Sequence, residues 1–153
     1  MSTTVEARPF SPDFSHRDGH SWDGPASCSA SLPVRCLLPA TTGAPGLARQ
    51  LLLRRACPDH FADPADALLL ASELVTNALL HGDPPIELGM RCAGSRTIVS
   101  VTDVGEPPVL RRSPGAADAL SGRGLRLLDA LATDWGVDNH VHGKTFWFML
   151  EQT

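Results

Sequence analysis

Between Asp63 and Gly82 apolar side chains recur at steps of three and four, with Leu68, Ala71, Leu74, Val75, Ala78 and Leu79 on one side. This is the period of an amphipathic helix. Asp63 suits an N-cap, Pro64 is tolerated at the first helical position, and Asp66 falls near the positive end of the dipole. Gly82, followed by Asp83, Pro84 and Pro85, ends the run. Upstream, Ser31 to Pro39 alternates as a strand. Thr41 to Cys57 then repeats as a helix, with Leu47, Leu51 and Leu52 inward and Arg49, Arg54 and Arg55 outward. Downstream, Ile86 to Cys92 and Thr97 to Thr102 alternate on either side of a turn at Ala93 to Arg96, which predicts a hairpin. Glu106 to Ser121, broken by Pro107, Pro108, Pro114 and Gly115, follows neither period. A loop of that length inside a compact domain is commonly a lid or a binding loop. Gly122 to Leu125 opens a further helix, reaching about Thr133, with Leu125, Leu128 and Leu131 as its stripe. Trp135 to Val141 and Lys144 to Glu151 close the chain as two strands that turn near His142 and Gly143. In the last of them Phe146, Phe148 and Leu150 face one way, and Thr145, Trp147 and Met149 the other.

This order of elements predicts an α+β fold. It is a two-layer α/β sandwich, with one mixed, mostly antiparallel sheet and about three helices on one face. Residues 1–31 are rich in Ser, Pro, Asp and Gly and show no period, so a flexible tail is expected, with 32–153 forming one domain.

A net charge of -4 and a pI near 5.8 argue against general nucleic-acid or anionic-membrane binding, which draws on excess Lys and Arg. No apolar run reaches the length of a membrane span and the first ten residues lack the core of a signal peptide, so the expected compartment is the cytoplasm. Cys28, Cys36, Cys57 and Cys92 show no C-x-x-C spacing, and separate thiols are expected.

The chemistry begins on the first helix described. Glu73, Asn77 and His81 stand four apart along one side of a segment otherwise rich in Leu and Ala. Two familiar phosphate motifs fail. Gly143-Lys144-Thr145 would end a Walker A loop, but Asp138 stands where that loop needs glycine, and a strand follows in place of a helix. Gly122-Arg123-Gly124 has Leu127 where a dinucleotide fingerprint needs its third glycine.

The helix row, Asp103 with Gly105, the lid, the Gly122 to Leu125 turn and the Thr145 strand together resemble a known ATP-binding fold. It is shared by gyrase, heat-shock chaperones, histidine kinases and mismatch-repair ATPases. ELVTNALLHG, DVG, GRGLRLLDALATDWGV and GKTFWFML look most like the small anti-sigma-factor serine/threonine kinases, over roughly Leu32 to Glu151. One departure is the first glycine box, DVGEPP, which lacks the second glycine that many members carry.

The resemblance implies ATP and Mg2+ as ligands, with the metal on Asn77, whose neutral amide oxygen suits a hard cation. A helix asparagine facing water is the competing reading. Glu73 is implied as the catalytic base that orients or deprotonates an incoming hydroxyl. Its competitor is a surface glutamate. Asp103 is implied to accept from the adenine amino group; alternatively it caps the turn through Gly105 or Glu106. Gly105, Gly122, Arg123, Gly124 and Leu125 are implied around the phosphates, where glycine leaves backbone amides accessible and a helix start adds its positive end. Thr145 is implied to reach adenine through water, although threonine is common in strands. The implied activity is phosphorylation of a small anti-sigma-factor antagonist in a partner-switching system, with a sigma factor as second partner and a homodimer allowed. The alternative is a non-catalytic, ATP-dependent binding module.

Overall fold

The computed structural model describes residues 34–55, 64–93, 96–105, 122–141 and 143–151. The expected tail at 1–31, Asp63 as N-cap and the expected lid at 106–121 lie outside the described residues. In chain order the elements are β1 (Val34–Leu38), α1 (Ala44–Arg55), α2 (Pro64–His81), β2 (Ile86–Ala93), β3 (Arg96–Asp103), α3 (Gly122–Leu131), β4 (Asp134–His140) and β5 (Gly143–Glu151). The strands form one open sheet in the order β1-β2-β3-β5-β4. Each described pairing is antiparallel, so the mixed character expected for the sheet gives way to a uniformly antiparallel one.

Period-two alternation places one apolar row after another on the helix side. Leu88, Val101, Phe146 and Val137 lie opposite one another across β2, β3, β5 and β4, and Met90, Val99, Phe148 and Trp135 form the next row. Against these rows pack Ala48 and Leu52 of α1, Leu70, Ala71, Leu74, Val75 and Ala78 of α2, and Leu125 and Leu128 of α3. All three helices therefore cover the same face, and each fully buried Leu, Val or Phe contributes about 1.5–3 kcal/mol of transfer free energy. Of the stripe predicted for α2, Ala71, Leu74, Val75 and Ala78 are buried and Leu68 and Leu79 half-buried; Ala67 and Leu70 are buried as well, and α2 packs on α1 too.

The opposite face carries Ser100, Trp147 and Gly136 in one row. Trp147 is only 4% exposed, because its indole lies against the bare backbone of Gly136, where an added Cβ would fall 2.8 Å from a ring carbon. Gly136→Ala is expected to cost about 1–3 kcal/mol through that overpacking. Denaturant titration measures it, and an unchanged midpoint would remove the stacking account.

Candidate functional site

The C-terminal end of α2 meets the ends of β3 and β5. The amide of Val104 donates to the carbonyl of Asp83 at 2.9 Å, and that of Gly82 to Ala78 at 2.9 Å, so the strand end is tied to the helix end. What Gly82 supplies here is proximity. A Cβ on it would lie 2.5 Å from Oδ2 of Asp103, and one on Gly105 would lie 2.7 Å from Nζ of Lys144 and 2.9 Å from Oδ1 of Asp103. A Cβ on Gly143 would collide with the Asp103 carbonyl. Two backbones without side chains, at Gly82 and Gly105, thus close around one carboxylate, and a third, at Gly143, abuts the main chain of the same residue.

That carboxylate already has a partner. Asp103 and Lys144 are opposite residues in the β3–β5 register, and Nζ donates to Oδ1 at 2.7 Å. Lys144 is fully buried and Asp103 is 2% exposed. An isolated charge would be prohibitive at such depth, whereas a hydrogen-bonded pair is tolerated. Asp103, expected to accept from a ligand, thus meets a donor from the chain itself, and nothing local in the sequence marks Lys144 as that donor. The available signal was a lysine at the start of a strand that, once paired with β3, must face the aspartate at the end of it.

Asn77 lies five residues before Gly82 on α2, about 7.5 Å along the helix axis. It is 5% exposed, and among the described residues neither Oδ1 nor Nδ2 has a hydrogen-bond partner. A buried polar group left unpaired costs about 1–3 kcal/mol. An amide oxygen and an amide nitrogen, buried on a packed helix and without a partner among the described residues, form the set that a magnesium ion with its attached phosphates would engage. The residues present therefore fit that group. Glu73, one turn earlier, is half-buried, and His81, one turn later, is exposed.

Gly122, Arg123, Gly124 and Leu125 are the first four residues of α3, at the positive end of its dipole. Gly124 is buried, and the Leu125 side chain belongs to the core, so only main-chain groups of Leu125 are available to a ligand. The side chain of Arg123 lies outside the described ones. α3 packs on α2, which brings its start to the same side of the sheet as Asn77.

Thr145 is the expected site residue that the fold does not bring to this cluster. Alternation turns it away from Lys144 to the face without helices. There its hydroxyl is 2.8 Å from that of Thr102 and 2.9 Å from Nε2 of His140. Physical period, one residue per face, is the reason.

No protein-family model matches the chain, and a search of curated proteins finds no match. Among solved structures, the fold is similar to the crystal structure of the RsbU and RsbW domains of Rv1364c from Mycobacterium tuberculosis. The two share 23% identity at a TM-score of 0.56, over 78% of this chain and 32% of that one. The chain therefore spans about a third of the length of the chain it matches, and the likeness is one of fold: an open antiparallel sheet with three helices on one face.

Proposed function

We propose that the chain is a magnesium-ATP-binding regulator, a serine/threonine protein kinase of the anti-sigma-factor type that phosphorylates a small antagonist protein. The observation that carries this reading is Asn77, an amide buried on an apolar helix with both polar atoms unpartnered among the described residues. The order of the four motifs and the fold likeness to a structure containing an RsbW domain support it.

In this reading Asn77 would hold the metal through Oδ1, and the start of α3, from Gly122 to Leu125, would receive phosphate oxygens at the positive end of its dipole. Gly105 borders the base, and Asp103 accepts from it. The metal, when bound, neutralises charge on the triphosphate. Glu73 takes the proton of the incoming Ser or Thr hydroxyl, a task for which a half-buried carboxylate next to the metal ligand is well placed. A sigma factor is the second partner in the proposed partner-switching system.

Labelled ATP with candidate antagonists provides the test. The parent should place label on a Ser or Thr of the antagonist, and Glu73→Gln should slow transfer about 10²–10⁴-fold while Mg-ATP still binds. Transfer at the parental rate in Glu73→Gln removes the base assignment. ATP binding with no phosphorylated product in any mixture would make the chain a non-catalytic, nucleotide-dependent binding module.

A further inference from the structure

The Asp103–Lys144 pair has more hydrogen-bonding capacity than its single contact uses. An ammonium carries three N–H donors, and an ionised carboxylate accepts at both oxygens. Among the described residues the 2.7 Å contact between Nζ and Oδ1 is the polar contact of both side chains. Nζ therefore keeps donors to spare and Oδ2 keeps its acceptor capacity, side by side at the end of the central strands. The two side chains are 0% and 1% exposed, and the half-buried Gly82 and Gly105 stand against them with main chain alone.

A donor beside an acceptor is complemented by an acceptor beside a donor. Adenine presents that edge: ring N1 accepts next to the exocyclic amino group at C6, which donates. Resting on the nucleotide reading above, we infer that Lys144 is a specificity-determining residue whose Nζ donates to N1 of adenine while Asp103 accepts from the amino group through Oδ2. Guanine in the same pose would set its O6 against the carboxylate and its N1–H against the ammonium. Both contacts are repulsive, so the pair selects adenine by attraction and rejects guanine by mismatch. A carboxylate alone would supply half of that discrimination.

The test titrates the unsubstituted protein calorimetrically with the magnesium complexes of ATP, 1-deaza-ATP and GTP. The analogue 1-deaza-ATP, with C–H at position 1, should bind at least about tenfold more weakly than ATP because it forfeits a hydrogen bond to a charged donor. GTP should be weaker still. In the charge-neutral double variant Lys144→Met with Asp103→Asn, the ratio between ATP and 1-deaza-ATP should fall towards one. Equal binding of ATP and 1-deaza-ATP by the unsubstituted protein overturns the role of Lys144 and leaves nucleotide binding intact; GTP binding tighter than ATP overturns it too. Failure of all three to bind a folded protein overturns the nucleotide reading, and this assignment with it. The analogue comparison does not depend on whether any variant folds.

Discussion

Asn77→Ala is expected to weaken Mg-ATP binding at least about a hundredfold, since loss of an outer-shell partner alone typically costs 10–100-fold in metal affinity. The same substitution should leave the ligand-free protein within about 1 kcal/mol of its parent in stability, which is unusual for a change at a buried position. Alanine removes two polar atoms that have no partner among the described residues, so the relieved desolvation offsets the small loss of packing. Titration calorimetry reads the first quantity and thermal unfolding the second. Melting with ligand joins them: saturation at about a hundred times Kd should raise the parent's stability by about 2.7 kcal/mol and leave Asn77→Ala almost unmoved. Parental affinity in the variant would mean that Asn77 holds no metal, and the functional reading would lose its principal support.

Lys144→Met should be the most damaging single change to the fold. It leaves Asp103 at 2% exposure without its ammonium, and removing one member of a buried pair costs about 3–5 kcal/mol. Adding Asp103→Asn removes the stranded charge and should recover most of that loss, because a pair replaced by neutral groups of similar volume is often close to neutral. Denaturant midpoints of the two single variants and the double variant give the coupling. Additive losses would show that the two side chains do not support one another.

Much of the fold was legible because its signals are local. The stop residues after α2, the alternation of Ile86 to Thr102 and the facing pattern of Phe146 to Met149 each depend on neighbours a few positions away. Helix placement on one face followed from the apolar stripes. The pairing of β3 with β5 was not legible in this way, since it joins residues from 41 (Asp103 and Lys144) to 55 (Arg96 and Glu151) positions apart and no tight turn between them sets a register. Two consequences of that pairing were missed together. Lys144, considered only within a failed phosphate motif, is the partner of Asp103, and Thr145, considered a base contact, faces the other side. Asn77 stands out as polar in so apolar a helix, but that neither of its polar atoms has a partner among the described residues emerges only from the fold.

The ion pair also acts as a key for strand alignment. If β5 slid by one position against β3, the side chain at 144 would swing to the helix-free surface and the carboxylate at 103 would be left alone in the interior. Misaligned sheets would thus carry the penalty of a solitary buried anion on top of that of an apolar set turned to the wrong face.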